Sequence, residues 1–403
     1  MRVFPTTVLA CALALCTPAL TIPTLPGLRY TLATPGPKPP APIGKQPAPD
    51  PAAAIRFTYP APQCALASVR IEWRSLTIVE RTAWLGAVKC LAKVPHWKNL
   101  QALGKTAGAP PINTNSSLFD DFSWIHQDYA SQVHLTGFFL TWHRWYIANF
   151  DQALRQYCHY AGPTPYWDWT KDSQDFQNAT IWADTNPLWG LGGFGDPKKE
   201  YTLTTGAFAN FPVVYPYVHN LRRQYNPLPF NFTFFPAEYR TVVPTYTFTP
   251  KEMNYMTENF TGNFTSFQHY FEKLWGAHGS IHGLTGGDLG GVCAPSAPTG
   301  VCTSNQFSPN DPIFFLHHAN VDRVWAAWQR QNKANFWAFH GGSVASPNIF
   351  DPNDPDGNGV APWLNISSPF PTDGILANAR IADIMDTMGG VLCYTYDTYA
   401  FSL

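Results

Sequence analysis

Apolar residues recur at three- and four-residue spacing in four stretches of the chain, a period that is typical of one face of an α-helix. Asn310 or Asp311 is the expected N-cap of the last of these helices, with Pro312 in its first turn. We expect the four helices at residues 76–91, about 139–157, about 267–281 and about 310–328.

Between these stretches the helical period is lost. Residues 186–250 and 340–371 are rich in Pro, Gly, Asn and aromatic residues, which predicts long ordered loops. The pattern as a whole therefore predicts one mainly α domain over residues 63–403, with long irregular loops and few short strands.

The first 62 residues differ from the rest of the chain in composition and in hydrophobic pattern. Arg2 precedes an apolar run that ends at Leu20, and this run is too short to cross a bilayer, so residues 1–19 are predicted to be a secretory signal peptide. A buried helix is the weaker alternative, because the following residues are crowded with Pro, Ala and Gly and have few aromatic side chains. We expect residues 20–62 to be a Pro-rich linker or propeptide, and the mature protein to be secreted and extracellular.

Composition narrows the class of protein. The 403 residues contain 26 Lys and Arg against 27 Asp and Glu, so the formal charge is −1, and only 13% of residues are charged. This balance argues against a nucleic-acid partner and against a polybasic membrane-surface protein. Beyond the leader we find no apolar stretch long enough to cross a membrane.

The cysteines and glycosylation sequences agree with export. Removal of the leader would remove Cys11 and Cys16 and leave six cysteines, which is compatible with three disulfides in an oxidising compartment. Cys293 and Cys302 bracket a short loop and are expected to pair with each other, whereas the other pairings stay open. Six acceptor sequences for N-glycosylation begin at Asn115, Asn178, Asn231, Asn259, Asn263 and Asn365.

Candidate chemistry comes from the histidines. His126, His134 and His143 lie eight and nine residues apart, and His278 and His282 lie four apart on one face of a predicted helix. A single histidine is more often a structural residue than a metal ligand. Two groups together favour a metal site, whereas the histidines without such neighbours are read as structural: His96, His159, His219, His269 and His340.

The donor type restricts the metal. Neutral imidazole nitrogens without carboxylate or thiolate suit copper or zinc rather than calcium or magnesium. A structural zinc site would normally use four protein ligands including cysteine, and the mature cysteines are expected to be oxidised. Copper is therefore favoured, and a zinc-dependent hydrolase is a weaker alternative that metal analysis would settle.

Two longer motifs carry a family resemblance. His134-x4-Phe139-Leu-Thr-Trp-His143-Arg resembles the first copper signature of the tyrosinase and polyphenol oxidase family. The stretch from Asp311 through Pro-Ile-Phe-Phe-Leu-His317-His318-x3-Asp322-Arg resembles the second. The resemblance covers roughly residues 63 to 397, and the chain resembles the short secreted fungal members of the family.

The resemblance implies a four-helix bundle that holds two copper ions, with dioxygen as co-substrate and a small phenol as substrate. It places His317 outside the ligand set and makes Asp322 a candidate to accept an imidazole N–H. The implied ligands are His126, His134 and His143 for one copper, and His278, His282 and His318 for the other.

The resemblance also bears on the substrate. In this family monophenol hydroxylation is linked to an Asn directly after the first histidine of the second site, acting with a Glu through a water. Here that position is Gly279, so oxidation of o-diphenols (catechols) to o-quinones is favoured. Glu272 is a candidate for the family Glu, with a solvent-facing carboxylate as the alternative. Val292 is a candidate gate over the second copper, with loop packing as the alternative.

Other functions stay open at this point. A tyrosinase that also hydroxylates monophenols and a secondary-metabolite phenol oxidase use the same site. A hemocyanin-like oxygen carrier belongs to a different class, and it is disfavoured because such chains bring additional shielding domains. The physiological phenol and the oligomeric state cannot be read from the sequence.

Overall fold

The computed structural model describes residues 29–32, 36–39, 53–57, 64–302, 306–351, 354, 357–389 and 391–402. The predicted signal peptide at residues 1–19, with Cys11 and Cys16, lies outside these residues. Among the described helices, none is both long enough and apolar enough to span a membrane.

Helices dominate the described chain and strands are short. The strands are β1 (Tyr30–Leu32), β2 (Leu66–Arg70), β3 (Pro212–Val213), β4 (His219–Asn220), β5 (Gly342–Val344), β6 (Val360–Trp363) and β7 (Tyr394–Tyr396). The α-helices are α1 (Ile78–Leu91), α2 (Leu118–Val133), α3 (Phe138–Cys158), α4 (Thr180–Ala183), α5 (Pro250–Glu258), α6 (Phe264–Glu272), α7 (Ala277–Thr285), α8 (Ile313–Gln331), α9 (Lys333–Phe336) and α10 (Ile381–Ile384).

The sheets lie at the edge of the helical core. The largest has the order β1-β2-β7, in which β2 pairs antiparallel with β1 and parallel with β7. Ser68 is opposite Tyr30 on one side and opposite Tyr394 on the other. The other two sheets are the antiparallel pairs β3-β4 and β5-β6. The predicted fold class, mainly α with few short strands, is confirmed.

Three of the four predicted helices are confirmed as α1, α3 and α8, with ends within three residues of the expected ones. Helix α8 begins at Ile313, so its N-cap is Pro312 rather than Asn310 or Asp311. The Asp311 carboxylate nevertheless accepts a hydrogen bond of 3.1 Å from the Ile313 N–H, as an N-capping side chain does.

The predicted single helix at residues 267–281 is wrong, because the structure divides this stretch into α6 and α7. Lys273 after α6 has extended backbone (φ −43°, ψ 144°), and Gly276 before α7 is also extended (φ −80°, ψ −178°). The resulting turn, residues 273–276, separates two helices of nine residues each. Its position matters because α7 carries two of the site histidines.

Helix α2 was not predicted at all. Fourteen of its 16 residues are buried, including Asp120, Asp121 and Asp128, so polar side chains interrupt the apolar period on every face. The signal that could have found it is the capping box, in which Ser117 and Asp120 satisfy each other's backbone N–H groups. Helix α5 was missed as well, because it begins where the predicted loop ends.

Aromatic side chains pack α2, α3 and α8 together in the core. Phe315 of α8 stacks on Phe150 of α3 with ring centroids 3.4 Å apart, and it also stacks on Tyr146, 6.0 Å away. Phe122 of α2 meets Phe150 edge to face at 5.3 Å. Such pairs contribute about 0.5–1.5 kcal/mol each beyond their buried area. This packing fixes the relative positions of the helices that carry most of the histidines.

Part of the predicted linker at residues 20–62 belongs to the core. Ala54 and Ile55 are buried and donate backbone hydrogen bonds of 2.9 and 3.0 Å to the carbonyls of Gly374 and Ile375. Phe57 packs on Trp145 with centroids 4.6 Å apart. The described residues 53–57 are thus folded onto the domain rather than detached from it. Removal of the segment by processing stays a prediction.

Three disulfides close the fold. Cys64 joins Cys393, and this bond ties the start of β2 to the start of β7. Cys90 joins Cys158 and thereby links the ends of α1 and α3. The third bond confirms the predicted pair Cys293–Cys302.

Candidate metal centre

The first histidine group lies where α2 meets α3. His126 is in the middle of α2, His134 is the C-cap residue of α2, and His143 is on α3. Their ring centroids are 4.9 to 5.4 Å apart, and their potential ligand atoms all lie within 4.8 Å of one another. The structure therefore brings together three residues that the sequence places up to 17 positions apart.

Backbone carbonyls orient all three rings. The Nδ1 atoms of His126, His134 and His143 lie 2.6, 3.0 and 2.8 Å from the carbonyl oxygens of three other residues. A carbonyl can only accept, so each Nδ1 carries the proton and each Nε2 keeps its lone pair. The accepting residues are Gln306, Ala130 and Phe139.

The second group lies where α7 meets α8. His278 and His282 project from α7, and His317 and His318 from α8, with potential ligand atoms within 4.8 Å of one another. The His318 ring stacks on that of His143, with centroids 4.4 Å apart, so the two groups are adjacent. Within the described part of the chain, His282 alone of these four is oriented by a carbonyl, that of Leu289 at 2.7 Å.

His317 joins this group, whereas the sequence resemblance placed it outside the ligand set. Its ring lies 4.8 Å from that of His282 and 5.5 Å from that of His278. The side chain is fully buried, and neither ring nitrogen has a hydrogen-bond partner among the described residues. The same holds for both nitrogens of His318 and for Nε2 of His278.

Burial keeps these imidazoles neutral. It lowers the pKa of His134 and of His282 to about 4, partly offset by their bonds to carbonyls. It also lowers the pKa of the remaining rings well below the usual value, with neighbouring histidines as a second cause. Neutral rings are the form that binds metal ions.

The donor set fits a pair of soft or borderline metal ions. Buried nitrogens without partners cost free energy unless something accepts their lone pairs or protons. In both groups the candidate ligand atoms are imidazole nitrogens, with no carboxylate or thiolate among them. Such a set suits copper, and zinc next, as the sequence indicated.

A cavity of about 240 Å³ opens onto both groups, with His134, His278 and His282 in its wall. Glu272 also lines it and is only 3% exposed, so the alternative of a solvent-facing carboxylate does not apply. One carboxylate oxygen accepts from the Leu135 N–H at 2.5 Å, and the other from the Gln268 amide at 3.0 Å. Burial raises the pKa of Glu272 well above its usual value, and these two bonds oppose the rise.

Gly279 lines the same cavity, directly after His278. A Cβ atom at this position would lie 2.3 Å from the Leu274 carbonyl oxygen, so a side chain could enter only if the backbone moved. Val292 does not match the expected gate over the second copper, because it is 46% exposed and does not line the cavity. Leu289 and Gly290 of the same loop line the cavity instead.

The expected role of Asp322 is wrong. Its carboxylate pairs with the Arg144 guanidinium and accepts hydrogen bonds of 2.5 Å from the hydroxyls of Tyr394 and Tyr396. A buried arginine supplies a charged donor, which binds a carboxylate more strongly than a neutral imidazole does. Asp322 therefore links α8 to α3 and β7 instead of orienting a histidine.

Sequence reasoning also missed residues that act on the site through their backbone. The carbonyls of Gln306 and Leu289 orient His126 and His282, and no side-chain pattern marks such a role. Phe314, which stacks on His318 at 4.2 Å, did carry a signal, because it stands in the second motif.

Comparison with known proteins gives a consistent result. Residues 116–331 match the family described as the common central domain of tyrosinase. The chain is 31% identical over 351 residues to the tyrosinase-like protein phomQ1 of Diaporthe leptostromiformis, across 84% of this chain and 80% of that protein. It is 28% identical over 366 residues to the N-acetyl-6-hydroxytryptophan oxidase ivoB of Emericella nidulans, across 82% of this chain and 92% of that protein.

Among solved structures the fold is similar to that of a mutant polyphenol oxidase from Thermothelomyces thermophila. The TM-score is 0.55 at 24% identity, and the match covers 82% of this chain and 88% of the other. At this identity the similarity supports a shared fold and nothing further. With the family match over more than half of the chain and two histidine groups suited to a dinuclear copper centre, the chain belongs to the tyrosinase family of copper oxidases, which use dioxygen as co-substrate.

Proposed function

We propose that this chain oxidises o-diphenols to o-quinones in preference to hydroxylating monophenols. The copper pair, when bound, supplies the electron transfer from the phenol to dioxygen. The observation that carries the preference is Gly279, which has no side chain and whose backbone lies too close to the Leu274 carbonyl to gain one without movement.

The protein residues of the cavity support this preference. A monophenol must lose a proton before it is hydroxylated, and a base or a held water must take that proton. Glu272 is the carboxylate at hand, but each of its oxygens already accepts one hydrogen bond from the protein. A water beside Glu272 would find no second partner at position 279, and a poorly held water is a poor base. A catechol, with more acidic hydroxyls, depends less on this help.

The ligand assignment is part of the proposal. We assign His126, His134 and His143 to one copper, and the residues of the second set to the other. His318 is preferred over His317 because its ring stacks on that of His143, with centroids 4.4 Å apart, and so lies between the two groups. The second set is His278, His282 and His318.

Secretion is proposed for the same chain. All six cysteines of the described residues are in disulfides, which form in oxidising compartments. The asparagines of the six N-glycosylation sequences are all solvent-exposed, as acceptors must be. Mass spectrometry of the secreted protein should find its N-terminus beyond residue 19, glycans on some of these asparagines, and no free thiol in denaturant.

Oxygen uptake tests the proposed reaction. The rate of oxygen uptake by the copper-loaded protein is measured with a monophenol, an o-diphenol and an o-methoxyphenol of matched ring substitution, and the three rates are compared. We expect rapid uptake with the o-diphenol and at least about tenfold slower uptake with the monophenol, a barrier difference of about 1.4 kcal/mol. Equal rates would overturn the preference, and oxygen binding without turnover of any phenol would indicate a carrier.

A second candidate is oxidation of a phenol in secondary metabolism. It is favoured by the relative named as an N-acetyl-6-hydroxytryptophan oxidase, whose substrate is a hydroxylated indole. Replacing the catechol by a hydroxyindole in the same oxygen-uptake assay distinguishes the two candidates, because the preferred substrate gives the higher kcat/KM.

A further inference from the structure

A second groove lies beside the turn that joins α6 to α7, and none of its lining residues lines the metal cavity. Its volume is about 80 Å³. At about 15 Å³ for each water, this volume holds roughly five waters, so a larger ligand lies partly in the mouth of the groove. Its wall includes Tyr239, Glu252, Tyr270, Lys273, Trp275 and Gly276.

The groove and the metal cavity are the two sides of one turn. Lys273 has extended backbone, so neighbouring side chains in the turn point to opposite sides. Glu272 and Leu274 line the metal cavity, whereas Lys273 and Trp275 line the groove. The two spaces are therefore close together but separately walled.

Aromatic rings form much of the apolar wall of the groove, beside Met253 and Met256. Tyr239 stacks on Trp275 with centroids 4.9 Å apart and planes 21° apart. Tyr246, at the mouth, is 45% exposed. Flat rings of this kind bind another aromatic ring by stacking or by edge contact.

Two opposite charges stand in the same wall without meeting. The Glu252 carboxylate accepts a hydrogen bond from the Tyr270 hydroxyl, and the Lys273 ammonium lies over the ring of the same tyrosine, 4.1 Å from its centroid. Neither charge forms a salt bridge with the other or with any other residue in the described part of the chain. Burial lowers the pKa of Lys273, and the nearby Glu252 opposes this effect. A partly buried charge without an ion-pair partner gains from a ligand of opposite sign.

We propose that this groove binds a small aromatic zwitterion, a molecule with one ring, one carboxylate and one ammonium group, as in a free aromatic amino acid. The ligand carboxylate pairs with Lys273, its ammonium pairs with Glu252, and its ring packs on the wall of Tyr239 and Trp275. The site is distinct from the metal cavity, and the inference does not depend on the proposed function.

Calorimetric titration of the copper-loaded full chain with L-phenylalanine tests the proposal. This probe has no ring hydroxyl to be oxidised, so binding is measured without turnover. Hydrocinnamate lacks the ammonium group and phenethylamine lacks the carboxylate. We expect each to bind at least tenfold more weakly than L-phenylalanine, because each leaves one wall charge unpaired. Equal affinity of the three compounds, or no binding of L-phenylalanine at millimolar concentration, overturns the proposal.

Variants locate the binding. Lys273→Met and Glu252→Gln keep the side-chain length and should each weaken L-phenylalanine binding by tenfold or more. Lys251→Met and Glu258→Gln are matched controls on α5 that do not line the groove, and they should leave the affinity unchanged. Copper-free protein should bind as well as the loaded form, since the groove contains no metal-site residue. Unchanged affinity in both groove variants, with unaltered melting temperatures, places the ligand elsewhere and overturns the proposal.

Discussion

The two histidine groups differ in what holds their rings. In the first group His126, His134 and His143 each donate Nδ1–H to a backbone carbonyl of α2, α3 or the loop before α8. In the second group, His282 alone has such a bond to a described residue. The rings of His278 and His318 are held by contacts with other rings: His278 stacks on His317, and His318 stacks on His143.

This difference shows that the fold orients the first group by itself. The second group has buried nitrogens without a hydrogen-bond partner among the described residues, and a bound metal would give them one. A carbonyl bond fixes both the tautomer and the ring angle of a ligand. An unpartnered buried nitrogen costs about 1–3 kcal/mol. We therefore expect the first group to add to the stability of the copper-free protein and the second group to reduce it.

The largest expected effect comes from replacing one histidine of each group by phenylalanine, which preserves ring shape but removes both nitrogens. His143→Phe and His318→Phe should each lose about one copper per chain, and oxidase activity should fall by about 1000-fold or more. In copper-free protein the two variants should diverge. His143→Phe loses a hydrogen bond and should be less stable by about 1 kcal/mol, whereas His318→Phe removes two unpartnered nitrogens and should be neutral or more stable.

Metal analysis, oxygen uptake and denaturant unfolding of the copper-free forms measure these effects. His340→Phe is the matched control, because His340 is exposed and lies outside both groups. Equal destabilisation by His143→Phe and His318→Phe would remove the contrast between the two groups.

The pH dependence of the copper-free protein should be the next largest effect. The pKa of His134 and of His282 is about 4 in the folded chain, below the value of about 6.5 in an unfolded chain. Between these values the unfolded chain binds more protons, so stability falls as pH falls. Each ring contributes a slope of up to about 1.4 kcal/mol per pH unit in this window. Unfolding free energies at pH 7.5, 6 and 5 should decrease steadily, and a flat profile would contradict neutral buried rings.

Copper should change this profile. The metal binds neutral rings and holds them in that form, so the loaded protein should stay stable to lower pH, until protons displace the copper. The same titration with loaded protein is the control. A profile identical to that of the copper-free chain would mean that the rings do not bind the metal.

The contrast between the groups also explains what the sequence could predict. Spacing alone marked His278 and His282, because two imidazoles four positions apart share a helix face whatever surrounds them. The full set of six proposed ligands came from the family resemblance of the two motifs. The partners of those rings were not predictable, since the carbonyls of Gln306 and Leu289 have no residue-type signal. Helix α2 escaped detection for a related reason: its buried aspartates are satisfied by partners that only the fold supplies. Asp121, for example, accepts from the Trp97 N–H at 2.8 Å.

The roles of residues around the second group were harder still to predict. Counting ten positions from His282 pointed to Val292, but the positive φ of Gly286 and Gly287 turns the chain so that Leu289 and Gly290 reach the cavity instead. Asp322 has the right spacing from His318 on α8, yet Arg144 from α3 competes for it. A local turn decides the first case, and a residue from another helix decides the second.

A smaller effect is expected from His317→Phe, which sharpens the assignment within the second group. If His317 only packs against His278 and His282, the variant should keep two coppers per chain and lose less than about tenfold in activity. Its copper-free form should be no less stable than the parent, because two unpartnered nitrogens are removed. Loss of one copper from His317→Phe but not from His318→Phe would transfer the ligand role to His317.

The smallest expected effect concerns Gly279, which directly follows His278 and presents no side chain to the metal cavity. Alanine is favoured over glycine inside a helix by about 1 kcal/mol. At Gly279 the added Cβ would lie 2.3 Å from the Leu274 backbone carbonyl, and overpacking of this kind costs about 1–3 kcal/mol. The clash should win, and Gly279→Ala should lower the melting temperature by about 2–4 °C. Gly86→Ala is the matched control: Gly86 lies on α1 with no atom within 4 Å of its added Cβ, so propensity alone acts and the melting temperature should rise. A melting temperature that rises in Gly279→Ala as it does in Gly86→Ala would show that the backbone of the turn at residues 273–276 moves at little cost.

Gly279→Asn carries the same clash but adds an amide beside Glu272, and its monophenol rate should rise severalfold relative to its diphenol rate. An unchanged rate ratio in folded, copper-loaded Gly279→Asn would mean that this position does not set the substrate preference.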